Sequence, residues 1–127
     1  MLILLLAACA HYSDSDATLR AKIVGKWTTA GVTLPDQAQV SDVTTTFQPD
    51  GSWITRYTVT RASDSRKQTT GGSWHIENGS MIELQTNIDG VADTKEQQGG
   101  SKIIRLDSRE MILSNWYSPS RTFSRAP

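Results

Sequence analysis

TGGSWHIENGSMIELQTN, residues 70–87, decides the fold. Asn78-Gly79 is the strongest short-range hairpin signal in the chain, because a two-residue mirror-image turn needs positive φ at both central positions. On its amino side, 70–77 alternates: Trp74 and Ile76 point to one face, and Ser73, His75 and Glu77 to the other. On its carboxyl side, 80–87 is read with Ile82 and Leu84 facing inward. Period-two patterning on both sides of a tight turn marks half-buried antiparallel strands.

The same rhythm runs outward in both directions. Upstream, 23–29 is a first strand, and 40–47 puts Val43, Thr45 and Phe47 on one face. Gln48-Pro49-Asp50-Gly51 then turns the chain, Pro fixing φ and Gly accepting a positive one. Strand 52–61 sends Trp53, Thr55, Tyr57 and Val59 inward and Arg56, Thr58 and Thr60 outward. Downstream, 95–106 reads as a long strand with a bulge at Gly99-Gly100, followed by 110–116 and 121–125. Gly51-Ser52-Trp53 and Gly72-Ser73-Trp74 are two strand starts with similar packing needs. Three connections, 30–39, 62–69 and 87–94, read as longer polar loops, the first folding over one end. A helical turn over 18–23, capped by Ser15 or Asp16, precedes the strands. The expected class is all-β: about eight short strands in sequence order, closing as a small antiparallel up-and-down barrel to remove their edges.

Composition narrows the function. The 127 residues carry 13 basic and 13 acidic side chains, a formal net charge of zero. Nucleic acid is therefore not an expected partner, since phosphate binding rests on an excess of Lys and Arg. One cysteine, Cys9, rules out an intramolecular disulfide. Residues 2–8 are wholly apolar, yet far short of the roughly 20 that a membrane-spanning helix needs.

Leu6-Ala7-Ala8-Cys9 resembles the lipobox of bacterial lipoproteins. The resemblance implies a signal remnant over 1–8, cleavage before Cys9, acylation of its thiol and new amino group, and a lipidated tether over 9–17. The globular domain then spans 18–127. Several acyl chains together anchor firmly where one would be marginal. Ala10, in place of Asp, implies the outer membrane of the cell envelope, facing the periplasm. Within the domain, three pieces in order resemble lipocalin-like domains of small bacterial lipoproteins. They are Ile23-Val24-Gly25-Lys26-Trp27, then Thr46-Phe47 with Pro49-Asp50-Gly51, then Gly72-Ser73-Trp74-His75-Ile76 with Asn78-Gly79. The resemblance implies a Trp at the closed end of the barrel under an Arg of the last strand. Trp27 is the matching Trp, and Arg125 the first choice of Arg, ahead of Arg121; both roles are structural.

Candidate site residues follow from the inward phase. Trp53, Tyr57, Trp74, Leu84 and Leu113, with Ile82 and Leu106, either fill a core or line a pocket for an apolar or amphipathic ligand. Thr45, Thr55 and Thr86 share that phase, and a buried hydroxyl wants a partner, which points to a polar or hydrated interior. His11 and His75 are the only histidines. They are too few and too scattered for the three or four convergent ligands a metal needs, so no metal and no cofactor is expected. No nucleophile-elbow motif accompanies the serines, and an enzyme is not expected. Asp42, Asp50, Glu77 and Glu83 read as solvated surface. The leading function is a non-enzymatic envelope binding lipoprotein. The alternative is a protein-interaction module, such as a hydrolase inhibitor or an envelope assembly accessory. It would work through the barrel rim, where Trp116 and Tyr117 beside Pro119 either mark a partner site or cap the barrel.

Overall fold

Ser15 opens the described fold as a helix cap. In the computed structural model, which describes residues 14–115 and 118–127 but not the side chains of 93–97, 115, 118 and 119, its hydroxyl accepts a hydrogen bond from the Thr18 amide at 3.1 Å. The helix α1, Asp16–Ile23, is longer than the turn expected over 18–23, and begins inside what was read as tether. Leu19 and Ile23, four residues apart and so on one face, are buried. Gly25 follows with φ +133°, where only glycine turns freely into the first strand.

The strands run β1 Gly25–Thr29, β2 Val32–Thr33, β3 Gln39–Phe47, β4 Ser52–Arg61, β5 Asp64–Glu77, β6 Ser80–Ile88, β7 Val91–Leu106, β8 Glu110–Asn115 and β9 Ser118–Arg125. Each of the long strands pairs antiparallel with the next in sequence, and β1 pairs with both β3 and β9. The sheet thus closes into an eight-strand barrel, with the two-residue β2 as an added edge on β3. Tyr57 and Thr70 are ladder residues of this wall, paired with Gln68 and Thr55.

Two of the three expected loops are strands. Arg61 pairs with Asp64 across a two-residue turn in which Ala62 takes φ +52°. Ile88 pairs with Val91 across Asp89-Gly90, with φ +52° and +78°. Asp89 then ties that turn to its neighbour strand: its amide donates to the Thr69 carbonyl at 2.7 Å and its carboxylate accepts from the Thr69 amide at 2.8 Å. The bulge expected at Gly99-Gly100 is absent there, since these glycines pair regularly with Glu83 and Ile82. The irregularities fall instead between Ser41 and Thr44, Gly71 and Gly72, Gln85 and Asn87, Ile103 and Arg105, and Leu113 and Asn115.

Hairpin order fixes two unlike ends. The turns 48–51, 78–79 and 107–109 gather at one end, under α1. Asp16 accepts from the amides of Asn78 and Gly79, both at 3.0 Å, and Arg20 donates to the Pro49 carbonyl at 2.5 Å. This end is sealed. Its core holds Leu19, Ile23, Trp27, Phe47, Trp74, Met81 and Met111. At the other end stand the turns 62–63 and 89–90 and the loop 30–38, held down by Asp36, whose carboxylate accepts from the Ala38 amide at 3.1 Å and pairs with Arg61 at 3.2 Å.

Trp27 and Arg125 meet at the sealed end. The guanidinium carbon stands 3.8 Å from the indole centroid, and the same group donates to the carbonyls of Val24 at 3.0 Å and Lys22 at 2.6 Å. Arg121, the second choice, lies elsewhere, with its guanidinium 5.2 Å from the Phe123 ring.

Candidate functional site

The interior above the sealed core is polar, and the reason is a matter of register. Asn78-Gly79 pairs Glu77 with Ser80, hence Ile76 with Met81 and Trp74 with Glu83. Residues paired across an antiparallel ladder share a face. Since Trp74 is inward, Met81, Glu83 and Gln85 must be inward too. This corrects the expectation for β6: Ile82 and Leu84 face out, and Glu83, read as surface, faces in. Thr86 is the extra residue of the β5–β6 bulge, opposite the step from Gly71 to Gly72.

The result is a chamber of about 240 Å³ inside the barrel. Its floor is aromatic, from Phe47, Trp53 and Phe123, and its walls carry Thr45, Thr55, Thr70, Glu83, Gln85 and Arg121. The Thr45 and Thr55 hydroxyls satisfy one another across the β3–β4 ladder at 2.7 Å. The indole N–H of Trp53 donates to the Ser73 carbonyl at 2.9 Å and that of Trp74 to the Gln48 carbonyl at 3.2 Å. Burying these rings therefore leaves no N–H without a partner.

Of the residues expected to line a pocket, Trp53 alone lines the chamber. Trp74 and Leu113 are packed in the core, Trp74 edge-on to Phe47 with centroids 5.2 Å apart and Arg20 stacked 4.7 Å from its ring. Leu84 is on the outer surface. Tyr57 sits higher, in a groove of about 290 Å³ at the open end with Leu34, Val40, Val43 and Val59. Burial and the nearby Asp89 charge push its phenol up, which keeps it a neutral hydrogen-bond donor. A larger hollow, about 460 Å³, is a cleft beside the β3 bulge with Asp42, Arg56 and Lys67. Both hollows are partly open to solvent; the chamber, with its buried aromatic floor and polar wall inside the barrel, is the better candidate site.

Asp50 and Glu77 are exposed at turns. Asp50 accepts from the Ser52 amide and hydroxyl, which holds its carboxyl low, and Glu77 stands 3.3 Å from His75 on the surface. Cys9, His11, Trp116 and Tyr117 lie outside the described residues.

Among the described residues, Glu83 is the one acid of the chamber wall. Burial pushes its carboxyl above the usual range, and the Arg121 charge only partly opposes this. Barrel wall surrounds it and leaves only a minor part of the residue exposed, which is why desolvation dominates. A group that holds its proton more tightly folded than unfolded contributes stability at low pH, and loses it as pH rises through the folded-state value. Glu83→Gln removes that loss. The variant is expected to melt higher than wild type near neutral pH, with the two converging in acid; each kcal/mol is worth about 3–6 °C at this size. Parallel pH–Tm curves would place the carboxylate in free solvent instead.

No protein-family model matches the chain, and no curated protein is significantly similar to it. Among solved structures, it is similar to a lipocalin-like protein from Bacteroides uniformis. The identity is 18%, covering 83% of this chain and 99% of that one, with a TM-score of 0.58. It is also similar to a protein from Bacteroides eggerthii, at 19% identity, covering 82% and 99%, with a TM-score of 0.52. Likeness at this identity establishes the fold, a lipocalin-like barrel, and leaves the ligand open.

Proposed function

We propose that this lipocalin-like barrel is a non-catalytic binding protein of the cell envelope, tethered through an acylated Cys9 and holding a small amphipathic ligand in its chamber. The observation that carries the reading is the chamber itself: an aromatic floor, hydroxyl and carboxylate walls, and enclosure by a closed sheet over a solid base. A space of about 240 Å³ is below the roughly 300–1,000 Å³ of drug-sized sites, which favours a small ligand over a long acyl chain.

Native mass spectrometry of the full chain, purified without denaturation from its own host, tests the binding. A mass excess that disappears on denaturation, and that Thr70→Phe prevents by filling the chamber, is expected. The same mass in both proteins would end the chamber reading. Labelled palmitate incorporated by wild type and not by Cys9→Ser tests the tether.

A second reading, docking of a protein at the rim, is favoured by one observation. Val32 and Val91, two of the most exposed large apolar side chains among the described residues, both stand at the open end.

A further inference from the structure

The chamber has a carboxylate that no described side chain bonds and that the Arg121 charge answers only in part. Thr45 and Thr55 satisfy one another, and the indole N–H groups of the floor and core bind backbone carbonyls. Glu83 differs: among the described residues, no hydrogen bond or ion pair reaches its carboxylate. Arg121, the cation of the described wall, is exposed and stands over the Phe123 ring at 5.2 Å rather than bonding the acid. Space is also kept beside the acid. Its ladder partners are Trp74 on β5 and Gly99 on β7, and a Cβ added at Gly99 would meet no atom within 4 Å, so the missing side chain leaves open room there.

We propose that the chamber takes a small amphipathic amine, its ammonium group ion-paired with Glu83 and its apolar body lying on Trp53 and Phe47. The inference rests on the chamber being a ligand site and names the chemical class that site selects. A buried acid without a partner is a liability in the empty protein and an asset only when a cationic donor arrives, because each then supplies the other's missing solvation. The floor completes the selection. A cation beside Trp53 gains from the ring face, and an aromatic or alicyclic body of a few carbons covers apolar surface without outgrowing the chamber. An anion would meet Glu83 as a like charge, and a neutral alcohol would fit the shape but leave the carboxylate without its counter-charge.

The test uses the full-length protein and three probes of one shape: phenethylamine, phenethyl alcohol and 3-phenylpropanoate. Binding is followed by tryptophan fluorescence and by calorimetry at near-neutral pH. The amine is expected to bind at least about tenfold more tightly than the alcohol, and the carboxylate to bind weakest. Glu83→Gln, expected to fold at least as well as wild type, should weaken the amine about 30-fold or more while leaving the alcohol nearly unchanged, as loss of one partner of an enclosed charge pair does. Equal affinity for amine and alcohol, or an amine affinity untouched by Glu83→Gln, overturns the proposal. A native ligand without a basic nitrogen overturns it too, yet leaves the chamber reading intact. Failure of every probe, with no native ligand and no effect of Thr70→Phe, removes both.

Discussion

Trp27→Ala is expected to leave the chain without a cooperative folded state at 37 °C. Trp27 is fully buried, donates from its indole N–H to the Ile23 carbonyl at 2.8 Å, and carries the Arg125 guanidinium on its outer face. Truncating a core Trp costs about 3–5 kcal/mol in transfer and cavity terms. Loss of the cation–π contact adds about 0.5–2 kcal/mol. Set against a total stability of about 5–15 kcal/mol for a domain, the sum is of the same order. The damage is also concentrated, because the helix end, β1 and β9 all meet on that ring. Urea unfolding followed by circular dichroism checks it. A midpoint within error of wild type would show that the base is held by the helix contacts alone. Arg125→Ala is expected to fall between the two, since it keeps the ring but removes the donors to Val24 and Lys22.

Gly72→Ala is expected to be nearly as severe, although it adds only a methyl group. Gly72 sits at the β5 bulge, where a Cβ would run along the sheet into the carbonyl oxygen of Leu84 on β6. The obstacle is backbone, so no rotamer relieves it, and the ladder between β5 and β6 must separate or shift register. Overpacking of this kind costs about 1–3 kcal/mol when side chains can yield, and more when they cannot. Gly100→Ala is the internal control. Its new methyl would meet only the Ile82 side chain at 3.4 Å, on the outer face. A fall in thermal midpoint for Gly72→Ala alone, with faster amide exchange along 80–88, is the expected outcome. Equal midpoints for the two variants would mean that the bulge relaxes freely.

Much of this architecture was legible in the letters, and the failures have definite physical causes. The eight-strand barrel and its sequential order follow from alternation and turn residues. The β6 error came from letting apolar letters outvote turn geometry. Ile82 and Leu84 look like core, but a two-residue turn at Asn78-Gly79 allows one pairing only, and Trp74 had already fixed its face. Read in that order, the sequence places Glu83 inside and with it most of the chamber's chemistry. Asp89-Gly90 carries the same turn signal as Asn78-Gly79, with Ile88 and Val91 beside it, inside a stretch whose remaining letters are mostly polar. The turn at Ala62 had no such signal, since alanine rarely adopts φ near +50° and only the closed sheet imposes it. The chamber floor was half legible: Trp53 lay in the inward phase, whereas the depth separating it from Trp74 and Leu113 depends on barrel height, which alternation does not encode.

The helix joins the barrel at its plugged base, and the open rim is at the opposite pole. Any attachment made through the chain upstream of Ser15 would therefore hold the vessel by its foot. Under the proposed acylation of Cys9, the mouth would face away from the anchored end, and a ligand would come and go through water rather than straight from the bilayer.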